Sequence, residues 1–283
     1  MLALSGVWLE VFAAIGIAAA VTLIAAGIWT ALLAAARRRP SRRFFEQAVE
    51  DEPVVTHRDA IVAFFDIRGF TPYVKLTEHY LVSRFLEDYF AVYPAAVQEV
   101  LERSDPVLKG RARRVLLEPD AFKRLGDGMM LVWEFPGERY TREQRDAAVV
   151  SILDIAQAIR EKFGALVASD SFGEHARALR LGCGISRGTA SRVDYRKSGS
   201  DYVGPVVNMA ARLQDKARRE GLVASYDMCA EHFQRLAHGG QGMAGVRVEL
   251  RDIGPVKVFA STGVELPPDA ASEGPAPLLD EKG

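Results

Sequence analysis

Ala60-Ile61-Val62-Ala63-Phe64-Phe65-Asp66-Ile67-Arg68-Gly69-Phe70-Thr71-Pro72 holds three local instructions in succession. Ala60 to Phe65 is a compact apolar run of the kind that forms a buried strand. Asp66 stands where that strand runs into a glycine-containing turn. Thr71-Pro72 reads as a helix start, with a hydroxyl cap and proline in the first turn. From Tyr73 to about Arg103, Val74, Leu81, Phe85, Tyr89, Val92 and Val100 recur mostly at helical spacing, which predicts one long amphipathic helix.

Downstream, residues 104–114 are polar and basic (Lys109, Arg111, Arg113, Arg114) and read as an exposed loop. Val115-Leu116-Leu117 and Phe122-Lys123-Arg124-Leu125 then lead into Gly126-Asp127-Gly128, and Met129 to Phe135 leads away. Two apolar runs around a Gly-Asp-Gly turn predict a β-hairpin with Asp127 at its tip. Arg142 to Phe163 has the pattern of a second amphipathic helix. Ala178 to Ile185 reads as a strand ending at Ser186-Arg187-Gly188, and Val206 to Arg219 as a third helix opened by Gly204-Pro205. The alternating segment Val246 to Val258 closes the sheet. The order strand–helix–strand–strand–helix–strand is that of an α+β ferredoxin-like sandwich, an antiparallel sheet with helices on one face.

The first part of the 283-residue chain differs from the rest. From Val11 to Ala36 there are 26 residues without a charge, more than the roughly 20 that a spanning helix needs. Arg37, Arg38, Arg39, Arg42 and Arg43 come immediately after, whereas only Glu10 precedes. That asymmetry predicts a single-pass cell-membrane anchor with the amino terminus outside and everything after it cytoplasmic. The expected divisions are a transmembrane helix within 1–36 (about 11–36), a basic juxtamembrane linker at 37–57, one domain at 58–262, and a disordered Pro/Ala/Asp/Glu/Gly-rich tail at 263–283. A formal net charge of −1 offers nothing to a nucleic-acid partner. Cys183 and Cys229 lack metal-ligand spacing and read as reduced core residues.

Chemistry is concentrated in three places. Asp66 and Asp127 would end adjacent central strands, and paired carboxylates with open coordination suit two Mg²⁺ or Mn²⁺ ions. Gly69-Phe70-Thr71 forms a turn entering a helix, where free N–H groups favour phosphate oxygens. Asn208 and Arg212, four apart, share a helix face. There Arg212 could neutralise a phosphoryl group and Asn208 could orient a ribose or phosphate oxygen.

Four blocks in order resemble the class III nucleotidyl cyclases, over roughly residues 58–260. Phe65 to Thr71 is similar to the family's first metal motif, and Lys123 to Asp127 to the second. Arg180 to Gly188 resembles the strand between the second metal motif and the last block. Asp201 to Arg212 resembles the nucleotide and transition-state motif. The resemblance implies metal binding by Asp66, Asp127 and the backbone carbonyl of Ile67. It implies adenine reading by Lys123 and Asp201, and transition-state contacts by Asn208 and Arg212. Guanylyl cyclases carry glutamate at the lysine position and a small polar residue or cysteine at the aspartate position, so Lys123 with Asp201 favours ATP. The resemblance thus implies a membrane-anchored adenylate cyclase, a phosphorus–oxygen lyase making cyclic AMP and pyrophosphate at composite sites of a head-to-tail homodimer. A catalytically inactive cyclase-like regulatory module and a guanylate cyclase are the alternatives. The Gly-Gly-Asp/Glu-Glu-Phe turn of diguanylate cyclases is absent. The family's late phosphate-contacting lysine aligns with Phe259, with Lys257 two residues earlier.

Overall fold

The computed structural model describes residues 54–103, 106–135, 140–195, 199–217, 221–229, 243–261 and 271–272. The predicted spanning helix lies outside the described residues, as does most of the basic linker and of the tail. Among the described residues no helix is long and apolar enough to cross a membrane.

The strands are β1 (Val54–Arg68), β2 (Ala121–Leu125), β3 (Gly128–Glu134), β4 (Arg180–Tyr195), β5 (Gly199–Val203), β6 (Gly221–Ser225), β7 (Met243–Leu250), β8 (Gly254–Ser261) and β9 (Ala271–Ser272). The helices are α1 (Phe70–Leu76), α2 (His79–Arg103), α3 (Gly110–Leu117), α4 (Arg142–Ala168), α5 (Pro205–Lys216) and α6 (Tyr226–Cys229). The strands form one sheet in the order β2-β3-β1-β4-β6-β8-β7-β9, with β5 pairing to β4. Its first four strands have the predicted ferredoxin-like order. The sheet is mixed, because β4 and β6 run parallel.

Residue alternation along β1 separates the two faces. Ile61, Ala63, Phe65 and Ile67 enter the main core, with Phe85 and Tyr89 of α2 and Ile152, Ile159 and Phe163 of α4. Ala60 and Val62 face the other way, into a smaller cluster with Met130, Val132, Tyr202 and Val206. Helices therefore cover both faces, not one as predicted, because α5 lies across the side opposite α2 and α4. It can do so only because β4 is stripped of side chains beneath it. A Cβ on Gly184 would lie 2.0 Å from the Gln214 amide nitrogen and 2.3 Å from the Ala210 carbonyl oxygen.

Several predicted boundaries move. β1 begins at Val54, so residues 54–57 of the expected linker and the residues before Ala60 belong to the sheet. The predicted helix from Tyr73 to Arg103 is two helices, α1 and α2, separated at Thr77 and Glu78. Thr71 does not cap α1; Gly69 occupies the N-cap position in a left-handed conformation, with no side-chain cap. Residues 106–109 of the basic segment lie outside helix and strand as predicted, but residues 110–114 and the apolar Val115-Leu116-Leu117 form α3, not a loop and a strand: Leu116 and Leu117 are buried. Arg113 is used structurally, donating to the carbonyls of Leu101 and Leu108 at 3.1 and 2.9 Å. Helix α4 starts where predicted, with a Thr141–Gln144 capping box, and runs five residues further, to Ala168. β4 continues through Ser186-Arg187-Gly188 to Tyr195, and β7 and β8 make a hairpin where one strand was expected. Cys183 is buried, and burial pushes its thiol pKa up, in keeping with an inert core thiol. The side chain of Cys229 is outside the described residues.

Candidate active site

The β2–β3 hairpin has the predicted shape. Leu125 pairs with Gly128, leaving Gly126 and Asp127 as a two-residue turn. Asp66 pairs with Gly128 on one side and with Gly182 on the other, so its carboxylate stands mid-sheet with Asp127 one residue past its neighbour. Burial raises the Asp66 pKa; Arg68 opposes the rise, and the charges of Asp127 and Asp215 add to it. The two predicted metal carboxylates are therefore close enough to repel each other in a partly dry place.

Two residues that sequence reasoning passed over complete this corner. Arg68 holds Asp66 at 3.0 Å and donates to the Gln214 backbone carbonyl at 2.8 Å. The Gln214 side chain, whose buried amide nitrogen has no hydrogen-bond partner, also favours the ionised Asp66. Arg68 was legible in principle, since residues two apart on a strand share a face. Gln214 was not, because its place depends on α5 crossing the sheet. Among the described residues no group of three or more His, Cys, Asp or Glu side chains could hold a metal. A pair of carboxylates plus the Ile67 carbonyl matches the way Mg²⁺ is held, with one or two carboxylates and with substrate phosphates filling the remaining positions. The donor set fits such an ion.

The Gly69-Phe70-Thr71 turn comes next along the chain. Gly69 and Thr71 are exposed, and α1 opens with no side chain on its first N–H groups.

Lys123 and Asp201, separated by 78 positions in the sequence, meet in a direct ion pair within one chain. Lys123 pairs with Met130, placing it at the sheet edge beside the smaller cluster. Asp201 comes from β5, which folds back on the outer half of β4. A polar lattice fixes β5 there. Tyr202 donates its hydroxyl to Glu134 at 2.7 Å, and Arg192 reaches Glu134 at 3.2 Å and Asp194 at 2.8 Å. The Asp194 contact comes first among the causes that raise the already high Arg192 pKa. Desolvation and the Glu134 bond raise that of Tyr202, so both keep their protons.

Asn208 is exposed on the first half of α5, and Arg212 lies one turn further along the same helix. Arg212 donates to Asp252 at 3.3 Å, and Arg251 contacts the same carboxylate oxygen at 3.2 Å. Asp252 sits in the β7–β8 turn with a φ of 67°. Phe259 is buried and stacked on Tyr226 at 5.3 Å, so it cannot serve a phosphate. Lys257 points over the same Tyr226 ring, 5.8 Å from its centre. The neighbouring residues Val256, Val258 and Ala260 are the ones that turn toward α5. No lysine from β8 replaces the family's phosphate contact on the α5 face.

No family model matches the sequence, and no curated protein does. Solved structures do match. The guanylate cyclase domain of RhGC from Catenaria anguillulae, in complex with GTP, superposes with a TM-score of 0.54 at 15% identity, over 73% of this chain and 98% of that one. The adenylyl cyclase CyaB from P. aeruginosa gives 0.52 at 17% identity, over 74% and 95%. The guanylyl cyclase Cya2 gives 0.50 at 18%, over 77% and 98%. Adenylyl and guanylyl enzymes appear side by side, so the comparison is silent on the base. The chain has the fold of class III adenylyl and guanylyl cyclase catalytic domains.

Proposed function

We propose that the chain is a membrane-anchored adenylate cyclase working as a head-to-tail homodimer on ATP. The observation that carries the reading is the contact between Lys123 and Asp201. An ammonium donor beside a carboxylate acceptor complements adenine, whose ring nitrogen accepts and whose exocyclic amine donates. Guanine offers N–H and carbonyl in the reverse order and would set its O6 against Asp201.

In the proposed reaction the ribose 3′-oxygen forms a bond to the α-phosphorus, the bond to pyrophosphate breaks, and the hydroxyl proton leaves to solvent. Asp66, Asp127 and the Ile67 carbonyl would hold divalent cations, which when bound would supply positive charge at the phosphates and acidify the hydroxyl. The open N–H groups after Gly69 receive phosphate oxygens. Asn208 orients the ribose, and Arg212 takes up charge on the transferring phosphoryl group. The uncharged run before Arg37, with its arginine flank, supports anchoring in the lipid bilayer.

The test is production of cyclic nucleotide by the purified full chain with Mg²⁺ or Mn²⁺ and ATP or GTP. Cyclic AMP from ATP, in large excess over cyclic GMP from GTP, is expected; no product from either removes the proposal. Asp66→Ala and Asn208→Ala proteins should each be inactive, and should recover part of the activity on mixing. Heterodimers that form and remain inactive refute the shared site.

A further inference from the structure

On the face opposite Asp66, α4 and residues 177–181 leading into β4 line an open cavity of about 510 Å³, within the roughly 300–1,000 Å³ range of small-molecule sites. Its lining includes Arg160, Arg177 and Arg180 and no Asp or Glu. Phe163, Leu179 and Leu181 form a base that belongs to the main core, each with 3% or less of its surface exposed, and Gly164 and Ala168 of α4 add exposed apolar lining beside it. Arg160 donates to the Gln157 side-chain oxygen at 2.6 Å, and Arg180 to the carbonyls of Arg177 and Leu179 at 2.7 and 2.8 Å. Arg177 pairs with Asp170, whose side chain is 90% exposed, an arrangement that holds an ion pair weakly and leaves it exchangeable.

We infer that this cavity binds an amphipathic carboxylate, with the anionic head on the arginine rim and a short apolar body on the core floor. Guanidinium groups present planar, paired donors that match a carboxylate, and the apolar base together with the exposed Gly164 and Ala168 gives a short hydrocarbon body a surface to cover. The assignment is independent of the proposed nucleotide chemistry. It has a structural consequence for that chemistry because the pocket wall is the back of the metal turn. Leu181 pairs with Ile67 and Arg180 with Arg68 across the β1–β4 ladder. A Cβ on Gly69 would stand 3.8 Å from the Leu179 side chain. A ligand seated on Leu179 and Leu181 therefore stiffens the segment that carries Asp66 and Ile67.

Hydrogen exchange on the purified full chain reads both effects without relying on activity. Titrated octanoate should slow exchange in peptides covering 176–184 and 64–70 with one midpoint. Octan-1-ol and inorganic phosphate should each need at least about tenfold higher concentration, since each lacks one half of the recognition. Arg177→Gln, a rim substitution with no folding burden, and Arg180→Gln should each move the octanoate midpoint up by about tenfold, as expected for a lost charge-assisted hydrogen bond. Equal protection by octan-1-ol, equal protection by phosphate, or an unchanged midpoint in both variants would overturn the assignment.

Discussion

Replacing Gly184 by alanine tests whether α5 is seated on the sheet as described, because the new Cβ would lie 2.0 Å from one backbone atom of that helix and 2.3 Å from another. Non-bonded carbon contacts settle at about 3.5–4.0 Å, so the helix must retreat by more than an ångström or the strand must buckle. Neither neighbour is a flexible side chain. Overpacking of this kind costs about 1–3 kcal/mol, and the backbone-on-backbone geometry places Gly184→Ala at about 3 kcal/mol. In a domain of this size that corresponds to a fall in Tm of about 6–12 °C. Gly188→Ala is the control on the same strand, since its Cβ would meet only the Val206 side chain, at 3.5 and 3.7 Å. There the reduced freedom of the unfolded chain should leave stability unchanged or raised by about 0.5 kcal/mol. Thermal and denaturant melts of both variants give the comparison. Because α5 carries Asn208 and Arg212, Gly184→Ala should also lose about 100-fold in turnover at a temperature where it remains folded, the scale of an ångström's misplacement. A Gly184→Ala protein that melts with wild type would refute the described seating of α5. One that melts early but turns over normally would refute the role given to its two polar residues.

Three substitutions probe the site itself. Asp66→Asn should abolish cyclase activity and raise Tm at neutral pH: the folded pKa is raised, chiefly by burial, so the stability tied to the neutral carboxyl is complete below the unfolded value and is lost as pH rises through the folded one. The gain should vanish in melts at acid pH, where wild-type Asp66 is already protonated. Asp201→Asn should cost less than about 1 kcal/mol in stability, since the Lys123–Asp201 pair is more than a third exposed on both sides; steady-state kinetics should nonetheless show the preference for ATP over GTP falling at least tenfold. Tyr202→Phe should raise KM for ATP with little change in kcat, because the Glu134 bond it removes anchors β5 and not the reacting atoms; an unchanged KM would mean that β5 is held without it.

The legible parts were those fixed by neighbours in sequence. The hairpin around Asp127 and the capped start of α4 arise from local turn chemistry and from periodicity. What stayed hidden depended on distant partners. Val54 to Asp59 shows no apolar alternation, and it is a strand only because residues 189–194 pair with it outside the core. β5 is polar and begins with glycine, so nothing local marks it; Tyr202, docked beneath α5, supplies its reason to exist. The basic segment reads as a loop by charge alone. Its residues 110–114 are helical because Leu116 and Leu117 bury one side while Arg113 closes the end of α2.

Beside the Lys123–Asp201 pair, two further charged groups that the proposed chemistry needs are engaged within the chain, Asp66 by Arg68 and Arg212 by Asp252. Neither engagement blocks the proposed roles. The Arg212 side chain is a third exposed and that of Asp252 is 69% exposed, and such pairs are worth about 0–1 kcal/mol. A phosphate oxygen offers Arg212 a stronger, charge-assisted partner than that carboxylate. At Asp66 a divalent cation brings twice the charge of the guanidinium it would displace, into a place where burial already penalises the bare carboxylate. Arg68 keeps a second partner in the Gln214 carbonyl, so releasing Asp66 does not leave it stranded. Both contacts therefore act as placeholders that keep the side chains aimed until substrate and metal arrive, and binding exchanges one partner for a better one with little loss.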